Sequence, residues 1–279
     1  MTRKVPVTVT VRDRAGNAAA QTLTWKVKTA VGMEALNGEP TRRIVADFPN
    51  LRYMRDFGVK RSGEPLPSLT AHGAGKFADM PGNCVAHVSW KTDVERLGPW
   101  LDGLARPVYL TWYHEPMGDV VPAAYRSTAA RVSQIVAAHR NRRWVLGHGP
   151  IVTRYWLDEG GGNPTDWGYP GMTHYGVDCY SQDRASYWPA SRMFGVALGK
   201  VRAAYPGVRL WVPEYGRVRT TADNTGAGRA QAVRSDMAWL TAQSDVDAVG
   251  YYNNAVDFPQ YAITAASPEG QAWRDMQSA

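Results

Sequence analysis

The chain has 279 residues, 44% of them hydrophobic, which is enough for one large α/β domain with a sizeable core and a small appendage. Its net charge is +7, but the basic residues are scattered without a run of five, so a solvated basic surface is expected rather than a nucleic-acid partner. No apolar run approaches the roughly 18 residues of a membrane span, and Met1-Thr2-Arg3-Lys4 is not followed by an apolar segment, so neither membrane insertion nor a secretion signal is expected.

Residues 5–12 alternate apolar and polar with period two, Asp13-Arg14-Ala15-Gly16-Asn17 carries turn chemistry, and residues 21–27 alternate again. This pattern predicts a β-hairpin. A lone hairpin is marginal in water. Residues 1–27 are therefore expected to be an extension that either packs on the rest or is the remnant of a domain in a longer protein.

From Lys28 onward strand and helix patterns alternate. Strands are predicted over 29–33, 51–57, 85–90, 107–115, 143–148, 173–180, 209–215 and 246–252. Helices are predicted over 40–47, 93–104, 125–139, 193–205, 231–243 and 268–276, the third with Ala129, Val132, Ile135 and Val136 on one face. The stretches 58–82 and 155–171 read as loops. Eight strands alternating with helices over 28–279 match the size and rhythm of a (β/α)8 TIM barrel, an α/β fold, with the hairpin as a short N-terminal extension. An open doubly wound sheet shares the rhythm but usually carries a Gly-rich phosphate turn, and neither GxGxxG nor GxxxxGK occurs. Cys84 and Cys179 fall at opposite ends of such a barrel, too far apart to bridge.

The chemistry is expected at the carboxyl ends of the strands. Val108 to Tyr113 is a near-continuous β-branched and aromatic run ending in His114-Glu115 and stopped by Pro116. Arg209-Leu-Trp-Val-Pro-Glu-Tyr-Gly216 has the same form, with Glu214 at its end. These are strands four and seven, whose ends face each other over a barrel mouth. Two carboxyl groups across a cleft are the equipment of glycoside hydrolysis, one protonated to release the leaving oxygen and one ionised. Tyr180, ending strand six, is placed to hold Glu214 ionised, and Arg55, ending strand two, to keep a carboxylate charged. His114, Trp90, Lys91, His148, Asp178, Tyr252 and Asn253 sit at or near strand ends as candidate substrate contacts. For each a structural role is the competing expectation, Trp90 in the core and His114 as a buried, satisfied histidine.

The order of a strand four and a strand seven each ending in Glu resembles the clan A glycoside hydrolases. Tyr113-His114-Glu115-Pro116 is similar to the acid/base segment of family 26, the β-mannanase family, and Val212-Pro-Glu214-Tyr-Gly216 to its nucleophile strand. His87-Val-Ser-Trp-Lys91 and Gly176-Val-Asp-Cys-Tyr180 resemble its third and sixth strand segments. The resemblance covers about residues 29–255. It implies a retaining, cofactor-free double displacement with Glu115 as acid/base and Glu214 as nucleophile. Family 26 usually follows its acid with Met-Asn-Gly-x-Trp, where this chain has Pro116-Met-Gly-Asp119, so mannan specificity is the least secure implication. The Asp13-x-x-Gly16-Asn17 turn resembles the last hairpin of bacterial immunoglobulin-like repeats.

The expectation is thus a polysaccharide or cell-envelope glycan as partner, endo action, a monomer as isolated, no cofactor, and an extracellular or virion-associated setting, with the chain as part of a larger protein there. The competing class is a non-catalytic carbohydrate-adhesion module. A metal site is not expected, because neither His-x-His nor a helical His-Glu-x-x-His occurs.

Overall fold

The structure, a computed structural model, describes residues 3–12, 18–27, 29–34, 41–56, 77, 80–81, 84–91, 93–255 and 258–278. Among the described residues there are two sheets. The alternating N-terminal segments form an antiparallel pair, β1 (Arg3–Arg12) and β2 (Ala18–Val27), in the register Arg3 to Val27 through Arg12 to Ala18. The predicted turn at 13–17 lies outside the described residues.

The second sheet is parallel and contains β3 (Ala30–Glu34), β4 (Tyr53–Asp56), β5 (Val85–Trp90), β6 (Val108–Trp112), β7 (Val145–His148), β8 (Ile151–Thr153), β9 (His174–Ser181), β10 (Arg209–Arg217) and β11 (Val246–Tyr251). Its order is β7-β6-β5-β4-β3-β11-β10-β9-β8. The two ends of that order are consecutive in the chain, joined by Gly149-Pro150. β7 and β8 are therefore two halves of the fifth barrel strand, and the circuit of eight closes. Gly149 N donates to Leu110 O at 3.2 Å, and Gly176 N to Pro150 O at 2.8 Å, which carries the ladder across the break. A Cβ at position 149 would collide with the His174 carbonyl, so only glycine lets the fifth strand pass this close to the sixth.

The helices are α1 (Thr41–Asp47), α2 (Leu97–Asp102), α3 (Pro122–Ala138), α4 (Arg154–Asp158), α5 (Val196–Ala204), α6 (Ala227–Ala242) and α7 (Pro268–Ser278). On α3, Ala129, Val132 and Val136 are buried as the periodicity predicts, together with Tyr125, whereas Ile135 is only partly buried. The expected loop 58–82 lies outside the described residues except for Phe77, Met80 and Pro81, and both Phe77 and Met80 are buried. Cys84 and Cys179 are free and buried.

Inside the barrel the side chains stack in layers. Tyr53, Tyr109, Ile151, Trp211 and Ala248 form a buried apolar layer. His174 stacks on Trp211 with ring centroids 4.7 Å apart, and His87 packs on it at 4.8 Å. His87 bonds Tyr53 at 2.5 Å and Thr111 at 2.9 Å through its two nitrogens, and burial holds it well below the ordinary imidazole pKa, hence neutral. Two residues further along its strand from Tyr53, and so on the same face, Arg55 opens the polar layer beneath the mouth.

Candidate active site

Strand parity alone does not aim Glu214 inward. On β10, Trp211 faces the barrel axis, so strict alternation would also send Pro213 and Tyr215 inward. The pairings with β9 and β11 both slip between Trp211 and Tyr215, which marks a bulge at Pro213-Glu214. Pro213 has no N–H to lose from the ladder. The bulge turns Glu214 into the mouth and Tyr215 outward, where Tyr215 bonds Asp236 at 2.6 Å. Gly250 on the neighbouring strand makes room, since a Cβ there would run into the Pro213 carbonyl.

The segment after β6 is aimed by a different device. Tyr113 and Glu115 adopt left-handed backbone angles, φ 57° and 49°. Such angles cost roughly 1–3 kcal/mol each for non-glycine residues and recur where function demands a geometry. Tyr113 N donates to Trp90 O at 2.7 Å and Glu115 N to Ile151 O at 3.1 Å, and these bonds tie the turn to the third and fifth strands.

The two devices bring four ionisable groups together. A carboxylate oxygen from each of Glu115, Asp178 and Glu214 and a ring nitrogen of His114 all lie within 4.8 Å of one another. Arg55 Nη1 is 2.7 Å from Glu214 Oε1 and 3.5 Å from Asp178 Oδ1. The Tyr180 hydroxyl donates to Glu214 Oε2. His114 Nε2 is hydrogen-bonded to Asp178 Oδ2 at 2.6 Å and lies 3.3 Å from Glu214 Oε1.

This environment separates the two glutamates. Burial, the Asp178 and Glu214 charges and a hydrogen bond to Asp178 push the Glu115 carboxyl up to about 9. Asp178 is raised by burial to about 7, against the pull of Arg55. Burial and Asp178 also raise Glu214, but Arg55, His114 and Tyr180 all act to keep it ionised. Glu214 has the guanidinium in contact, whereas Glu115 has the His114 Nε2 atom at 3.8 Å. The guanidinium and the tyrosine hydroxyl therefore favour the ionised form at Glu214 more than at Glu115.

These groups open into a cleft of about 730 Å³, within the range of small-ligand sites. Of the residues anticipated from sequence, His114, Glu115, Asp178, Tyr180, Glu214 and Tyr252 line it, with Arg55 buried beneath. Four others stand apart from the lining. His148 does not end the fifth strand, which continues to Thr153; it is buried, bonded to Tyr169 at 3.3 Å and held down to about 4 by burial. Trp90 is 1% exposed and belongs to the core between barrel and helices. Lys91 reaches Asp119 at 3.4 Å and covers the Tyr113 ring at 4.4 Å. Asn253 accepts from Ile263 N at 2.8 Å, a loop-fastening role. Trp90 and His148 are buried away from the cleft lining, unlike the strand-end position expected of them.

Sequence reasoning missed Tyr155, Trp188, Asp183 and Phe258, which also line the cleft. Tyr155 was reachable had the fifth strand been extended past Gly149-Pro150. Trp188 and Phe258 lie in loops that carry no periodicity.

The four clustered groups also satisfy the spacing of a cation site. Arg55 already occupies that position with a fixed positive charge against two of the three carboxylates, so the donor set is poorly suited to a divalent ion.

No protein-family model and no curated protein sequence matches the chain. Solved structures do. A family 5 glycoside hydrolase from Prevotella bryantii superposes with a TM-score of 0.57 at 11% identity, over 90% of this chain and 96% of that one. A family 128 endo-β-1,3-glucanase from Sorangium cellulosum gives 0.55 at 12% identity, over 88% and 98%. A family 26 endo-β-1,4-mannanase from Cellulomonas fimi gives 0.54 at 11% identity, over 90% and 71%. At these identities the likeness is one of fold: the chain is a (β/α)8 barrel of the architecture shared by these glycoside hydrolases.

Proposed function

We propose that the protein is a retaining glycoside hydrolase acting on a polysaccharide, with Glu115 as acid/base and Glu214 as nucleophile. The observation that carries this reading is the pair itself: carboxylate oxygens within 4.8 Å, with Glu214 alone held by both Arg55 and Tyr180. An oxygen-to-oxygen approach within 4.8 Å is compatible with a nucleophilic carboxylate, for which the two carboxyl groups typically lie about 5–5.5 Å apart. The fold shared with glycosidases of three families adds support.

In the first step a Glu214 oxygen attacks the anomeric carbon. The bond to the leaving oxygen breaks, and Glu115 delivers its proton to that oxygen. The glycosyl ester removes the negative charge of Glu214, one of the causes that raise Glu115. Glu115, now a carboxylate of lower pKa, takes a proton from water as the water oxygen attacks the anomeric carbon. The Glu214 ester bond breaks, and both residues return to their starting states. No metal or cofactor enters these steps.

The substrates of two structural relatives, β-1,3-glucan and β-1,4-mannan, are the first candidates, with cell-envelope glycans beside them. Such substrates point to work outside a cell or on a virion, and the antiparallel pair of β1 and β2 fits an attachment to a larger protein. A glycan-hydrolysis screen with Glu214→Ala as control tests the reading. Product from wild type and none from the variant is expected. Binding of a glycan without hydrolysis by the wild type would replace the reading with an adhesion module.

A further inference from the structure

Beyond the bulge at Pro213-Glu214, β10 regains its pairing with β9, with Tyr215 opposite Cys179, Gly216 opposite Tyr180 and Arg217 opposite Ser181. A Cβ at Gly216 would meet the rings of Tyr261 and Tyr180, so residue 216 faces the cleft. By alternation Tyr215 and Arg217 face the other way, towards the helices. There the Tyr215 ring packs on Phe194 and on Trp273 of α7, with centroids 5.7 and 6.0 Å apart. Both side chains also meet Asp236 of α6. The Tyr215 hydroxyl donates to Asp236 Oδ2 at 2.6 Å, Arg217 Nε donates to the same oxygen, and Arg217 Nη2 donates to Oδ1 at 2.8 Å. Arg217 and Asp236 are each 1% exposed.

Val233, Met237 and Leu240, also buried on α6, belong to the hydrophobic core, and Asp236 is a charge among them. A buried ion pair gives little net stability, because desolvation offsets the attraction, and apolar residues of similar size often serve folding as well or better. What the charges supply here is register. Were β10 to keep strict alternation from Trp211, Glu214 would point towards α6 and Arg217 into the barrel. The helix that carries Asp236 would then receive a carboxylate in place of a cation, which disfavours that register.

We propose that Asp236 is a positioning residue for Glu214. By fastening Tyr215 and Arg217, on either side of Gly216, to α6, it fixes the bulged strand in the arrangement that sets Glu214 against Arg55 and Tyr180. Asp236 lies outside the cleft lining and acts only through the strand. Its effect on turnover rests on the glycosidase reading, whereas the placing of Glu214 does not. A displacement of about 1 Å at a reacting group can lower turnover by roughly a hundredfold, even when its origin is remote.

Two variants test this. Tyr215→Phe removes one hydrogen bond and keeps the ring. Tyr215→Phe/Arg217→Met/Asp236→Leu replaces the whole cluster by apolar side chains and should keep Tm near the wild-type value. Val132→Ala, in the buried face of α3, is the destabilised control. On the best substrate of the glycan screen, kcat should fall roughly three- to tenfold in Tyr215→Phe with KM little changed, and roughly ten- to a hundredfold in the triple variant. Val132→Ala should keep its kcat per folded molecule. Arg217 also donates to the Trp188 carbonyl at 2.8 Å, so KM is compared only in Tyr215→Phe. Crystal structures of the variants should show the Glu214 carboxylate moved away from Arg55 or Tyr180. Unchanged kcat in the folded variants, or a Glu214 that keeps both contacts in them, overturns the proposal. If the triple variant does not fold, Tyr215→Phe decides by the same two readings. If the wild type hydrolyses nothing, the glycosidase reading fails and the crystal structures alone decide the positioning.

Discussion

Arg55 meets Glu214 at 2.7 Å in the buried layer below the cleft, and the same nitrogen is 3.5 Å from Asp178. One guanidinium thus serves two buried carboxylates. Replacing it by Ala leaves both without their cation and should destabilise the fold by about 3–5 kcal/mol. If Arg55→Ala folds, the acid limb of its kcat/KM profile should move to higher pH, because Arg55 holds Glu214 down. Denaturant melts and pH-rate profiles check the two effects, and an unmoved acid limb would remove Arg55 from the account.

Tyr180 donates to the other oxygen of Glu214. A hydrogen bond to a charged group contributes about 1.5–3 kcal/mol, so Tyr180→Phe should lower turnover roughly ten- to a hundredfold with little change in stability. Steady-state kinetics and thermal melts together separate this from a packing loss.

The Glu115 carboxyl, raised to about 9, makes two pH predictions of definite sign. The protonated form is the acid, so kcat/KM should fall as pH rises through about 9. A carboxyl whose folded pKa is raised binds its proton more tightly when folded. Its stabilising contribution is present below the ordinary value of 4.5 and is lost as pH climbs towards 9. Glu115→Gln, which keeps the hydrogen-bonding form, should therefore gain in Tm over wild type as the pH is taken from 5 to 9. Parallel melting curves across that range would contradict the assignment.

Much of this architecture was legible because buried parallel strands are nearly continuous β-branched and aromatic runs. The runs at 107–115 and 209–215 placed both glutamates on the right strands. What the pattern hid was backbone irregularity. The bulge at Pro213-Glu214 changes which residue of β10 faces inward without changing its composition. The break at Gly149-Pro150 looked like the end of the fifth strand, so His148 was assigned to the mouth when Thr153 ends that strand. Trp188 lies in a loop without periodicity, and contacts with Asp183 and Arg217 are among those that bring it to the cleft.

Gly250 tests whether the bulge is functional. A Cβ there would press on the Pro213 carbonyl. Gly250→Ala should cost about 1–3 kcal/mol through overpacking, and activity should fall further than a melt-matched variant elsewhere in the core, because the displaced segment carries Glu214. Activity that merely tracks the melt would show that the bulge tolerates movement.

The central claim is a covalent glycosyl intermediate on Glu214. The most direct measurement is proton NMR of the first-formed product anomer, recorded before mutarotation, on the best substrate from the glycan screen. The account predicts the anomeric configuration of the substrate in the fresh product, lost together with hydrolysis in Glu214→Ala. An inverted first product would mean that water attacks directly, and would contradict the roles given to both glutamates.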